Sequence, residues 1–190
     1  MTEMTDNALT YEYLNHIDPA CAVSFSGHRP NRLPGQGDPA KSETKAYASK
    51  LREQIEGAVG RGKHIFLNGA MAGWDILAAE QVLEVKKKLP QIELVTIVPF
   101  AIHYFTKADC WTQTWIERTR EICRRHDFGI SIAEHYRNGI YYERNRALID
   151  HSSELICYWD GEEGGTKHTV DYAAEKNISV TNLCDHLRLI

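Results

Sequence analysis

Short apolar segments alternate along this chain with helical repeats, and a turn of small or polar residues separates most neighbours. Ala22–Ser26 (AVSFS) is apolar and β-rich and runs into a loop dense in Gly and Pro, residues 27–39. Tyr47, Leu51, Ile55 and Val59 then recur every four residues, forming one face of an amphipathic helix that ends near Gly60 and Gly62. The alternation continues with His64–Leu67 as a strand, Asn68–Asp75 as a small-residue turn and Ile76–Lys88 as a helix stopped by Pro90. Ile92–Val98 is the next strand, followed by a long aromatic connection from Pro99 to Trp111 and a helix whose stripe is Trp115, Ile116, Thr119, Ile122 and Cys123. Phe128–Ala133 and Glu154–Trp159 read as strands around a helix at Tyr141–His151, and a last helix through Lys176 leads to a closing strand at Ile178–Leu183. Several of these strands are apolar throughout, which predicts parallel pairing with both faces covered, since each crossover lays a helix on the sheet. The chain is therefore expected to be an α/β three-layer sandwich around a mostly parallel sheet.

A length of 190 residues fits one such domain, here over residues 21–190 after a polar leader at 1–20. Apolar residues make up 43% of the chain and charged residues 25%, enough to bury a core and offset the entropy of ordering the backbone. The net charge of −4 speaks against extended nucleic acid as a partner, although a local basic patch can still hold a phosphate or a short strand. Cys21, Cys110, Cys123, Cys157 and Cys184 are scattered, odd in number and contain no CxxC pair, which predicts buried thiols in a reducing cytoplasm. The nine histidines show no ligand spacing, so no metal is expected, and no cofactor is indicated. No apolar run is long enough to span a bilayer and the first ten residues lack a signal pattern, so no membrane partner is expected.

Ligands of an open parallel sheet sit beyond the carboxyl ends of its strands, and three loops there carry chemistry. In Ser26-Gly27-His28-Arg29-Pro30 the glycine permits a tight exit, while His28 and Arg29 supply donors for phosphate or carboxylate, or else two solvated side chains on a turn. In Asn68–Asp75 the residues Gly69 and Gly73 allow close approach to the backbone, and Asp75 can accept from a ribose hydroxyl or merely complement the helix dipole. In Asp160–Thr166, Gly164, Gly165 and Thr166 open a helix whose free amides form an anion site, or make an ordinary turn with Thr166 as N-cap.

With these loops in order, the chain resembles the SLOG superfamily, the Rossmann-like group that includes DNA-processing protein A and the Lonely Guy proteins, and most closely its YpsA-like branch. The likeness rests on Gly27-His28-Arg29-Pro30, Gly69-x-x-x-Gly73-x-Asp75, Pro99-Phe100, Arg144-Asn145-Arg146 with Ile149-Asp150-x-Ser152-Ser153, and Gly164-Gly165-Thr166 with Ala173-Ala174. It implies a nucleotide-type pocket in proteins that bind nucleotides, sense nucleotide signals, handle single-stranded DNA or hydrolyse N-glycosidic bonds. Fold membership does not choose among these.

Lonely Guy enzymes carry Pro-Gly-Gly-x-Gly-Thr-x-Glu-Glu, whereas Thr166 is followed here by Lys167, His168 and Thr169, so the catalytic glutamate is missing. Asp75, Glu143 and Asp160 are the carboxylates that could replace it, though capping, solvation and turn roles are the favoured account of each and no catalytic residue is assigned. Arg144 and Arg146, two apart on a helix, face different directions and are not expected to act together; of the two, Arg144 is taken as the arginine at the ligand. Among Tyr104, Phe105, Trp111 and Trp115, helical spacing puts Trp115 in the core and leaves Trp111 as the stacking candidate. The expected function is binding, sensing or sequestering a phosphorylated nucleotide-type small molecule, with phosphate on the Gly27 and Gly164–Thr166 loops, ribose near Asp75 and base under the aromatic connection. The alternatives are an N-glycosidic hydrolase or transferase and a single-strand DNA binder. Oligomers are common among similar folds, so a homo-oligomer is compatible with the chain.

Overall fold

The structure is a computed structural model that describes residues 8–9, 11–100 and 111–184. Its strands are β1 (Ala8–Leu9), β2 (Ala22–Gly27), β3 (Ile65–Asn68), β4 (Glu93–Val98), β5 (Phe128–Ser131), β6 (Glu154–Tyr158) and β7 (Ser179–Asn182). Five α-helices lie among the described residues: α1 (Ser42–Gly60), α2 (Trp74–Lys86), α3 (Gln113–Arg125), α4 (Ile140–Asp150) and α5 (Gly165–Glu175). The sheet runs β1-β5-β4-β3-β2-β6-β7, and every pairing is parallel. This is the Rossmann-like sandwich that the alternating pattern predicts.

Successive residues along the strands point to opposite faces of the sheet. Val23, Phe25, Phe66, Leu94 and Ile156 join Leu51 and Ile55 of α1, Trp74 and Val82 of α2, and Trp115 and Ile122 of α3 in the larger core. Ala22, Leu67, Val95, Ile97 and Ile130 turn the other way, onto Ala147 and Leu148 of α4, while Leu155 and Cys157 pack with Ile149 and Ala173. Helix α2 packs against both α1 and α3, which is why its buried residues surround the helix rather than form a stripe.

The segment ahead of β2 does more than a polar leader would. Leu14 and Ile17 are buried in the second core, and β1 pairs with β5 at the sheet edge. Two apolar residues spaced by three, inside an otherwise polar stretch, are too sparse to show a period.

The chain steps outward from β2 through β3, β4 and β5, then returns to the free side of β2 to lay down β6 and β7. That reversal places a crevice at the carboxyl ends of β2 and its two neighbours. Trp74 braces its floor: the side chain is 1% exposed, and its indole N–H donates to the Ile156 carbonyl at 3.4 Å. Gly27 lies directly against this ring, so a Cβ there would collide with Trp74.

Removing the ring should cost about 3–5 kcal/mol in Trp74→Ala, read by urea unfolding. Gly27→Ala should be destabilising alone and less so in a Trp74→Gly background, where Cβ, Cγ and Cδ1, the atoms the added methyl would meet, are all gone; additive effects in that double-mutant cycle would contradict the contact.

Candidate functional site

The loop after β3 is organised by its own side chains. Asn68 donates from Nδ2 to the Asp75 carbonyl at 2.6 Å and accepts the Ala70 amide on Oδ1 at 2.7 Å. Gly73 then caps α2 with φ 108°, a left-handed value that only glycine adopts freely, and its Cα faces the His28 carbonyl, which also accepts the Trp74 amide at 3.1 Å. The loops after β2 and β3 are thereby locked together, and α2 starts two residues earlier than its apolar period suggests.

This locking brings Asp75 beside Arg144 and within electrostatic reach of Arg29. Asp75 is 5% exposed, and its Oδ2 lies 3.6 Å from Arg144 Nη1 and 3.4 Å from the Met71 amide that donates to it. Arg144, on α4, is equally buried and donates from Nη1 to the Gly69 carbonyl at 2.7 Å. A side chain at Gly69 would run into both the Arg144 guanidinium and the Asp75 carboxylate, so this glycine serves close approach. Burial raises the Asp75 carboxyl while Arg144, Arg29 and the Met71 amide pull it down, and burial prevails in direction. Burial likewise lowers Arg144, with Asp75 opposing it. Two buried guanidinium nitrogens, Arg29 Nη1 and Arg144 Nε, have no hydrogen-bond partner among the described residues.

A second cluster bridges β2 and β6. Asp160 accepts Arg32 through Nε at 3.0 Å and Nη2 at 2.5 Å, and His28 Nε2 approaches the same carboxylate at 2.7 Å. Burial alone would raise the Asp160 carboxyl, but hydrogen bonds from Arg32, the Glu162 amide and His28 bring it down to about 2. Burial lowers His28 from its ordinary value, with Asp160 opposing the shift. Here every group answers another, in contrast to the arginines beside Asp75. Arg32, which no sequence motif singles out, enters through the turn at Pro30–Arg32.

The remaining expected residues separate. Gly164 and Gly165 are exposed, with open space where a Cβ would point. The N-cap of α5 is Gly164 rather than Thr166, which lies inside the first turn and is 8% exposed. Trp111 is 8% exposed and belongs to the larger core with Trp115, so its ring is packed rather than presented; Tyr104 and Phe105 lie outside the described residues. Arg146 points away from Arg144, its guanidinium 5.3 Å from the Tyr172 ring, in a groove of about 780 Å³ between α4 and α5 that Tyr142, His168 and Tyr172 also line. Glu143 pairs with Arg137 at 2.5 Å. Among the described residues no cluster of His, Cys, Asp or Glu could hold a metal, and no helix is long and apolar enough to cross a membrane.

The order of these loops matches a family model over residues 23–186. The chain belongs to the YspA SLOG family. It is 28% identical over 115 residues to a UPF0398 protein of Brevibacillus brevis, covering 59% of this chain and 58% of that one. It is 26% identical over 133 residues to the SPbeta prophage-derived protein YoqJ of Bacillus subtilis, covering 65% and 78%. Among solved structures, DNA processing protein A from Streptococcus pneumoniae superposes with a TM-score of 0.60 at 15% identity, over 95% of this chain and 56% of the other. The same protein from Helicobacter pylori, in a structure concerned with its single-stranded DNA binding mode, gives 0.59 at 16%, over 96% and 77%. These likenesses show the shared fold. This member of the family spans little more than half of the Brevibacillus and Streptococcus proteins.

The depressed Asp160 carboxyl has a consequence for acid stability. Its ordinary value is about 3.9 in an unfolded chain, so its contribution is complete above that pH and is lost as pH falls. Asp160→Asn should be less stable than the parent at neutral pH and should show a flatter loss of stability between about pH 4 and pH 2, read from urea midpoints; identical acid limbs would mean the cluster carries no net stability.

Proposed function

We propose that the crevice above β2, β3 and β6 binds the phosphate of a nucleotide-type ligand, with Arg29 and Arg144 as its donors. The observation that carries this is the pair of buried guanidinium nitrogens without an acceptor. A buried donor left unpaired costs free energy that an arriving phosphate oxygen recovers, and planar guanidinium forks suit phosphate geometry. Gly27, His28, Gly69, Gly73 and Asp75 shape the walls of this site, and the open backbone at Gly164, Gly165 and Thr166 offers a second place for phosphate or sugar. The free thiols of Cys21, Cys123, Cys157 and Cys184 fit a reducing cytoplasm, where nucleotides are met.

Binding is favoured over glycosidic turnover because each carboxylate weighed as a catalyst is engaged: Asp75 by Arg144, Glu143 by Arg137 and Asp160 by Arg32. A second reading, single-strand DNA binding, draws on the Helicobacter neighbour, since the same arginines suit a phosphodiester.

Mass spectrometry of small molecules released by denaturing the purified protein, followed by calorimetric titration with a panel of nucleotides and a short oligonucleotide, tests both. The parent should retain an intact nucleotide or bind one from the panel. Arg144→Gln should bind at least about tenfold more weakly, and Arg146→Gln should bind like the parent. Oligonucleotide binding with a steep salt dependence would favour the DNA reading. A folded parent that binds neither class would refute the site.

A further inference from the structure

The buried groups beside Asp75 do not balance. Arg29 and Arg144 bring two guanidinium groups, and a single carboxylate, Asp75, interacts with both. The charged and titratable groups around Asp75 are Arg29 from the loop after β2 and Arg144 from α4, with Tyr141 of α4 interacting with Arg144; the loop after β3 contributes the Met71 amide. With Asp75 ionised the cluster carries one net positive charge. Arg144 is fixed beside Asp75 by its bond to the Gly69 carbonyl at 2.7 Å, and a side chain at Gly69 would occupy the place of the guanidinium.

Uncompensated charge of either sign is costly away from water. A phosphodiester brings one negative charge and closes the account, whereas a terminal phosphate, with a second pKa of about 6, brings nearly two and leaves an excess negative charge. We propose that Asp75 sets the charge of the ligand, making the crevice a receptor for a singly charged phosphodiester and turning away a terminal phosphomonoester. This rests on the phosphate-site reading above and narrows it. The class includes any ligand whose recognised phosphate bridges two groups, such as a dinucleotide or an internal linkage of a single strand.

The probes are the four nucleoside 5′-monophosphates and their phosphate methyl esters, which differ from the parents by one charge and one methyl group. In calorimetric titrations at about pH 8, an ester should bind about tenfold more tightly than its parent nucleotide. Near pH 5.5 the gap should close, because the monoester gains a proton while the ester, with nothing to titrate, reports any general effect of acid on the protein. Asp75→Asn keeps an acceptor for Met71 but leaves both arginines unanswered, and it should reverse the order in favour of the monoester at about pH 8. If that variant does not fold, titration of the parent protein in two buffers of different ionisation enthalpy gives the same answer: monoester binding near neutrality should take up about one proton and ester binding none. A monoester that binds as tightly as its ester at about pH 8, or without proton uptake, overturns charge selection and leaves the phosphate site standing. Failure of every probe on a folded protein overturns the phosphate site, and this inference with it.

Discussion

A buried carboxylate beside one buried guanidinium and within electrostatic reach of a second sets the terms for the whole carboxyl edge of this sheet. Asp75 is desolvated at the start of α2, and Arg144 must reach across from α4 to meet it. Losing either partner would strand the other without water, at a cost of about 3–5 kcal/mol. The surroundings follow from that demand. Gly69 has to lack a side chain, Gly73 has to turn left-handed so that α2 begins on time, and α4 is tied by Arg144 to a loop on the opposite side of the sheet. A buried ion pair of this kind is poor value as a stabiliser compared with apolar packing, which makes a role toward ligand the better reason for its presence.

Two adjacent residues show how finely the loop after β2 divides its work. His28 turns toward β6 and joins Arg32 on Asp160, where donors and acceptors are matched. Arg29 interacts electrostatically with Asp75 and Arg144, and its buried Nη1, like Arg144 Nε, has no hydrogen-bond partner among the described residues. The first cluster is a clasp between strands, and the second is the one with capacity to spare. A search guided only by titratable residues would rank them alike.

The strand and helix order was legible because each segment is long enough to show its period, and most boundaries fall within two residues of where apolar spacing puts them. The site was legible in part. Gly27, Gly69 and Gly73 announce themselves, since small residues after strands mean close approach, whereas helical geometry separates Arg144 from Arg146 without saying which of them meets Asp75. What sequence leaves open is pairing across the sheet. Asp75 reads equally as a ribose acceptor and a first-turn acid until α4 is folded over it, and Arg32 is anonymous until β6 carries Asp160 to it. Trp111 misleads for a related reason: an aromatic residue in a long connection reads as exposed, but here it is drawn under the helices as core. The segment before β2 misleads in the same way, because Leu14 and Ile17 acquire meaning only against a finished sheet.

The return of the chain to the free side of β2 also bears on how the protein comes into being. His28 and Asp160 are separated by 132 positions, and β2 finds its partner β6 only after β3, β4 and β5 have been made. A chain emerging from the ribosome therefore displays Arg29 and Asp75 well before Arg144 and Asp160 exist to meet them. Contacts of such long reach slow folding and keep one flank of β2 unpaired in the interim. The proposed phosphate site is thus complete only in the finished molecule, and the nascent half has, in that open strand edge, a surface that must be kept from its neighbours.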